Sequence, residues 1–208
     1  MVTYLIASSN RNKLTELSSA ARGSAFTLIS PDVTAASIGS RPPEVAETAG
    51  TYAGNAELKA RAYAAWSRMP AIADDSGLEV DCLAGRPGVL SARYGGSGIG
   101  DSRRCELLLE EVRQKVPVEG PGRRAWFVCS LVAVATDGEV LAQAEYRMEG
   151  LVIDDFRGEG GFGYDPIIFI PELGATLAEI PFERVCREGF RARAAEELFV
   201  KLSAKLPA

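Results

Sequence analysis

The run Ala125-Trp126-Phe127-Val128-Cys129-Ser130-Leu131-Val132-Ala133-Val134-Ala135 and the segment from Glu139 to Met148 flank Thr136-Asp137-Gly138. Two long β-prone runs joined by so short an Asp-Gly connection leave the second nowhere to go but back along the first, so an antiparallel hairpin is nearly forced. The remaining segments must supply its neighbours and its cover. Val2-Thr3-Tyr4-Leu5-Ile6-Ala7 is a β-rich apolar run that stops at Ser8-Ser9-Asn10, and Asn10 is suited to cap a helix through about Ala21 with Leu14 and Leu17 inward. Phe26 to Ile29 reads as a short strand, and Ser30 to Pro43, rich in Ser, Ala and Pro, as a connection. Helices are expected from about Tyr52 to Arg68, from Asp101 to Lys115 with Cys105, Leu108, Leu109 and Val112 on one side, and from Gly189 to Leu206 with Leu198, Phe199 and Leu202 facing in. Ile167 to Ile170 is a further strand.

At 208 residues and 47% hydrophobic composition, the chain supports one well-buried core, or at most two small lobes around a cleft. No linker or internal repeat divides it, so residues 1–208 are expected to form a single domain. A net charge of -5 makes the surface as a whole a poor partner for a nucleic-acid backbone. No signal sequence and no bilayer-length apolar run are recognisable, so no membrane partner and a cytoplasmic location are expected. Cys82, Cys105, Cys129 and Cys186 form no C-x-x-C pair and read as reduced, mostly buried thiols. The count of zero histidines removes Ser-His-Asp and Cys-His relays, His-ligated metals and any imidazole base. Acid-base chemistry is left to carboxylates, Lys, Tyr or water on a metal.

Ala71-Ile72-Ala73-Asp74-Asp75-Ser76-Gly77-Leu78-Glu79-Val80 carries two adjacent carboxylates directly after an apolar run. Apolar residues entering a sharp polar turn read as a strand delivering acids to the edge of a sheet, where a divalent cation or an attacking water can meet them. An ordinary Asp-Asp-Ser-Gly turn is the other reading. Lys13 lies in the first helical turn beside free backbone N-H groups, a phosphate seat or simply a solvated lysine. Asn55 and Lys59 are four apart and share a helix face. Leu83 to Gly96 is a Gly/Pro-punctuated loop longer than a turn. In Gly158 to Pro166 the glycines let backbone approach a ligand, while Phe162 and Tyr164 either stack on a planar ring or belong to the core. Arg184, Arg187, Arg191 and Arg193 form a basic cluster, either a solvated surface or a local answer to a polyanion.

Taken in order, Ser8-Ser9-Asn10-x-x-Lys13-x-x-Glu16, Glu47-Thr48, Asn55-x-x-x-Lys59-Ala60, Ala73-Asp74-Asp75-Ser76-Gly77-Leu78, Gly85-x-Pro87-Gly88-Val89-x-Ser91-Ala92-Arg93-Tyr94 and Gly161-Phe162-Gly163-Tyr164-Asp165-Pro166 resemble the inosine triphosphate pyrophosphatase family, also called non-canonical purine NTP pyrophosphatases. The resemblance spans nearly the whole chain. It implies an elongated α/β fold with a mixed β-sheet flanked by helices and two lobes around a central nucleotide cleft, usually as a homodimer. It also implies Mg-dependent hydrolysis of a nucleoside triphosphate between the α and β phosphorus atoms, giving the monophosphate and pyrophosphate.

By residue match, Ser8, Ser9, Asn10 and Lys13 would hold phosphates, and Ser76 would contact the phosphate chain. Glu47, Asp74 and Asp75 would organise Mg and the attacking water, with Asp75 as general base and Lys59 neutralising charge nearby. Phe162, Gly163, Tyr164 and Asp165 would border the base and sugar. The physics is compatible, since carboxylates can face a triphosphate only through a bridging cation. The sequence departs from the family at Ser9, where Gly is preferred, and at Gly54, where Glu is frequent. The larger departure lies near the C-terminus, where a Lys and then a Ser-His-Arg-like run read the purine. Here that run corresponds to Gly189-Phe190-Arg191, and the lysine position falls at or near Val185. Losing the hydroxyl and imidazole removes hydrogen-bonding groups on which strong base discrimination depends, while Phe190 can stack on a base. A specialised paralogue acting on a different nucleotide, and a nucleotide-binding module that has lost catalysis, are the rival readings.

Overall fold

The computed structural model describes residues 2–96 and 98–205. It is a mixed α/β structure whose strands run in the order Phe26–Ile29, Val2–Ile6, Ala71–Val80, Arg124–Val134, Val140–Val152, Ile168–Ile170 and Ala175–Thr176, with Pro87–Gly88 added to Ala71–Val80. The chain divides into two compact units, one made of Met1–Asp75, Cys129–Tyr146 and Cys186–Ala208, the other of Ser76–Val128 and Arg147–Val185. Among the described residues no helix is long and apolar enough to cross a membrane.

In the first unit β1 (Val2–Ile6) pairs in parallel with β2 (Phe26–Ile29) on one side and with the start of β3 (Ala71–Val80) on the other. Parallel neighbours need a crossover, and α1 (Arg11–Ala20) supplies it between β1 and β2. Asn10 caps α1 as expected, its side chain accepting from the backbone N-H groups of Asn12 and Lys13. Leu17 is buried and Leu14 only half-buried. α3 (Tyr52–Ser67) covers one face of these strands with small residues: Ala56, Ala60 and Ala64 meet Leu5, Ala7, Ala71 and Ala73, together with Val132 and Val134. Alanines on the contacting stripe let the helix come close to the sheet. α6 (Phe190–Ser203) buries Leu198, Phe199 and Leu202, and the Phe199 ring stacks on Phe26 at 5.4 Å.

β5 (Arg124–Val134) and β6 (Val140–Val152) form the expected hairpin, its turn closed by Ala135 N-H to the Glu139 carbonyl at 2.8 Å. Both strands pass from one unit to the other, as does β3.

In the second unit β4 (Pro87–Gly88) pairs antiparallel with β3, and Ser91 fastens the loop by accepting from Leu78 N-H at 2.8 Å and donating to the Gly88 carbonyl at 2.6 Å. β7 (Ile168–Ile170) and β8 (Ala175–Thr176) extend the sheet beyond β6. α4 (Asp101–Lys115) buries Cys105, Leu108, Leu109 and Val112, the stripe read from the sequence.

Two expectations are corrected, and one element is added to those expected. The segment 30–43 is not all connection: α2 (Pro31–Ile38) forms there, with proline in its first turn and Gly39 closing it at φ 68°. Those start and stop signals outweigh the Ser/Ala/Pro composition that suggested a loop. The C-terminal helix is preceded by a separate helix, α5 (Phe182–Glu188), and Gly189 is the cap between them. The expected end at Leu206 lies outside the described residues. Most consequentially, Asp74-Asp75-Ser76-Gly77 is not a turn, because β3 runs unbroken from Ala71 to Val80. Aspartates end strands when their side chains bond back to local backbone; here both carboxylates bond to distant side chains, and the strand runs on through them.

Candidate active site

Consecutive residues of a strand point to opposite faces of the sheet. Asp75 shares the face of Ala71 and Ala73, which is the face under α3, and Asp74 points the other way, toward α1 and α6. The adjacent acids therefore belong to two different constellations of the first unit.

On the α1 and α6 side, Asp74 Oδ2 accepts from Lys13 Nζ at 2.8 Å and from Arg191 Nε at 3.2 Å. Arg191 Nη1 donates to both oxygens of Glu16 at 2.8 Å. Glu16 and Lys13, three apart on α1, reach the same place. The group has two carboxylates and two cations, and its charges balance. Glu16, Asp74 and Arg191 are each 1% exposed. Burial alone would push the Asp74 pKa up, but Lys13, Arg191 and Lys59 overcome it and hold the carboxyl well below the usual range. Glu16 goes the other way: burial raises its pKa and the Arg191 contact only partly offsets this.

On the α3 side, Lys59 Nζ sits between Glu47 Oε1 at 2.9 Å and Asp75 Oδ1 at 3.0 Å. Asn55, one turn earlier, donates its Nδ2 to Asp75 Oδ2 at 3.1 Å and accepts from Ala49 N-H at 3.0 Å. Two carboxylates face one ammonium, so this group carries one surplus negative charge. Burial raises the Asp75 pKa, Lys59 and Asn55 only partly lowering it, and Glu47 adds to the rise. Lys59 is pulled toward its neutral form by burial, but Asp74, Asp75 and Glu47 more than compensate and hold it charged.

A hard divalent cation of the Mg type is held by one or two carboxylates together with substrate phosphates and water, rather than by a full protein cage. Glu47 and Asp75, within reach of a common cation and with charge in excess, fit that description. Among the described residues no set of three His, Cys, Asp or Glu side chains gathers in a metal-binding arrangement. The Asp74 carboxylate is turned to Lys13 and Arg191, on the opposite face of β3 from Asp75.

The remaining expected residues fall as follows. Ser8 Oγ accepts from Asn10 N-H at 3.2 Å, and Ser9 and Asn10 are exposed at the entrance to α1. Ser76 follows Asp75 on β3 and is half-buried. Phe190 opens α6, 6% exposed, with the Arg191 guanidinium 4.9 Å from its ring centre. Of the four arginines, Arg191 is buried, Arg193 pairs with Glu196 at 3.7 Å, and Arg184 and Arg187 lie three apart on α5.

In that unit Gly161 has φ +73° and no room for a Cβ, which would lie 2.2 Å from Asp165 Oδ2; the same oxygen accepts from Phe162 N-H at 2.9 Å and shapes the loop. Gly163 N-H donates to Asp101 Oδ2 at 2.7 Å. Tyr164 is a core residue whose hydroxyl donates to the Ser91 carbonyl at 3.0 Å. The roles of Glu16 and Asn55 were not assigned from the sequence. The signal was the three- and four-residue spacing from Lys13 and Lys59.

Comparison with known proteins agrees with this architecture. A "dITP/XTP pyrophosphatase" of Geobacter sulfurreducens is 40% identical over 198 residues, covering 93% of each chain. A protein of the same name from Thermus thermophilus is 41% identical over 93% of this chain and 88% of its own length. Among solved structures, a HAM1 protein from Coxiella burnetii superposes with a TM-score of 0.83 at 30% identity, covering 98% of this chain and 100% of that one. The Staphylococcus aureus Ham1 protein gives a TM-score of 0.81 at 33% identity over 98% of this chain and 100% of its own. With residues 4–201 also matching its family model, the chain belongs to the Ham1 family.

Proposed function

We propose that this protein hydrolyses non-canonical purine nucleoside triphosphates at the bond between the α and β phosphorus atoms, releasing a nucleoside monophosphate and pyrophosphate. The observation that carries the reading is Lys59 clasped by Glu47 and Asp75 at 2.9 and 3.0 Å with one negative charge to spare, in a chain similar to dITP/XTP pyrophosphatases. Binding alone does not call for buried acids beside a polyanion, whereas water activation and cation binding do.

In this mechanism Asp75 receives the proton of the attacking water, with Lys59 and Asn55 fixing the orientation of its carboxylate. A pKa raised by burial makes Asp75 a stronger base than a solvated aspartate, which suits a site with no histidine. Glu47 and Asp75 would hold Mg2+, which when bound neutralises their surplus charge and the charge gathering on departing pyrophosphate. Ser8, Ser9, Asn10, Lys13 and Ser76 bind the phosphate chain. Asp74 serves by holding Lys13 in place. Phe162 and Gly163 border base and sugar, as the resemblance implies, while Tyr164 and Asp165, which it also places there, hold that loop from the core side. A homodimer with no nucleic-acid or membrane partner, working in the cytoplasm, completes the proposal. Its acidic balance of -5 supports the absence of nucleic acid, and sedimentation velocity tests the dimer.

Incubation with Mg2+ and a panel of inosine, xanthosine, standard purine and pyrimidine triphosphates tests the reaction. Monophosphate and pyrophosphate are expected from the inosine and xanthosine compounds. A second reading, a different preferred base, is favoured by Phe190 and by the engagement of Arg191 with Glu16 and Asp74. It predicts that another triphosphate leads the panel, and that Phe190→His changes the ranking.

A further inference from the structure

Besides Lys59, a second side chain ties the Glu47 segment to Asp75: Asn55. It is 1% exposed, and both ends of its amide are used: Oδ1 accepts from Ala49 N-H at 3.0 Å, and Nδ2 donates to Asp75 Oδ2 at 3.1 Å. The backbone N-H can only donate, so the amide oxygen must face Ala49, and the NH2 is left for the carboxylate. Asp75 then receives one donor on each oxygen, Asn55 on Oδ2 and Lys59 on Oδ1, from residues one turn apart on α3. Two donors from one rigid helix fix the rotation of the carboxylate. Ala49 is two residues beyond Glu47, and Lys59 holds Glu47 directly. The irregular segment carrying Glu47 and the strand carrying Asp75 are thus referred to the same helix at two points.

We propose that Asn55 is a positioning residue that sets the spacing and orientation of Glu47 and Asp75 for a divalent cation; this rests on the hydrolase reading above. An asparagine is needed because the position requires a donor toward Asp75 and an acceptor toward Ala49 within one short side chain. Aspartate keeps the acceptor and loses the donor. Leucine has a similar size and loses both. Groups that orient metal-binding carboxylates typically change metal affinity by about tenfold to a hundredfold when removed.

The test uses Asn55→Asp and Asn55→Leu with Mn2+ alone as probe, its binding followed by calorimetry without nucleotide, alongside kcat, KM and thermal melting. Expected is a loss of Mn2+ affinity of about tenfold or more in either variant that melts cooperatively. At saturating metal, kcat should fall while the nucleotide KM stays within about twofold, since Asn55 orients the carboxylates and touches no phosphate. Folded variants that bind Mn2+ like the parent, while the parent releases pyrophosphate, would overturn the inference and leave the hydrolase reading standing. A parent that releases no pyrophosphate from any triphosphate overturns that reading and this inference with it. Should Asn55→Leu fail to fold, Asn55→Asp, which retains the bond to Ala49, decides.

Discussion

Asp74 and Asp75 are neighbours in sequence with opposite electrostatic fates. Asp74 takes two cations on one oxygen and its pKa is driven down, whereas Asp75 meets one shared ammonium and burial pushes its pKa up. Their substitutions should separate cleanly. Asp75→Asn keeps the shape and the Lys59 contact but cannot take a proton and sets an NH2 against the Asn55 donor, so kcat should fall by about a hundredfold to ten-thousandfold, with a loss of stability of about 1–3 kcal/mol from the opposed donors. Asp74→Asn leaves Lys13 and Arg191 facing a neutral amide and should cost about 3–5 kcal/mol of stability.

The pH dependence of that cost follows from linkage. The folded Asp74 carboxyl takes its proton at lower pH than the unfolded chain does. Its stabilising contribution is therefore complete above the unfolded value of about 3.9 and is lost as the pH falls below it. The gap between the melting temperatures of parent and Asp74→Asn should begin to narrow below about pH 4 and go on narrowing as the pH falls toward the much lower folded value; a constant gap would mean that the Asp74 charge is not what stabilises. The acids themselves were conspicuous in the sequence, but their separation was not. Whether two adjacent acids share a site depends on whether the backbone turns there or continues as a strand, and Asp-Asp-Ser-Gly is compatible with both until the partners on α1, α3 and α6 are known.

Elements whose signal is local were legible. Asn10 precedes α1 and caps it, the stripe of α4 is the one its spacing describes, and Thr136-Asp137-Gly138 lies in the hairpin connection. Asn10→Ala removes the acceptor for Asn12 and Lys13 N-H and should lower stability by about 1 kcal/mol, or about 2–4 °C in melting temperature. It should also loosen the first turn that carries Lys13, seen as a higher nucleotide KM. An unchanged KM would detach Lys13 from the phosphate chain. Segments whose outcome is set by tertiary partners were harder to read. α2 is short and weakly amphipathic in sequence, so its composition masks its caps, and α5 is a seven-residue helix with no expected element over it.

For the molecule as a whole, membership of the Ham1 family and the mixed α/β architecture were legible because six short motifs stand in register along the chain. The state of the thiols also followed from composition. Cys105, Cys129 and Cys186 are buried and Cys82 partly exposed, and burial pushes the Cys105 and Cys129 thiols up to about 12. A thiol reagent should label Cys82 first in the native protein and reach the other three only on unfolding. Rapid native labelling of all four would contradict the packing described.

The preferred nucleotide is the property least legible from the chain, because Gly189-Phe190-Arg191 replaces the hydrogen-bonding run of the family while Arg191 is committed to Glu16 and Asp74. The reaction itself is open to direct measurement. With Mg2+ and inosine or xanthosine triphosphate, the proposed hydrolysis gives equal amounts of monophosphate and pyrophosphate, reduced at least about a hundredfold in Asp75→Asn. Release of single phosphates, or pyrophosphate release undiminished by Asp75→Asn, would contradict it.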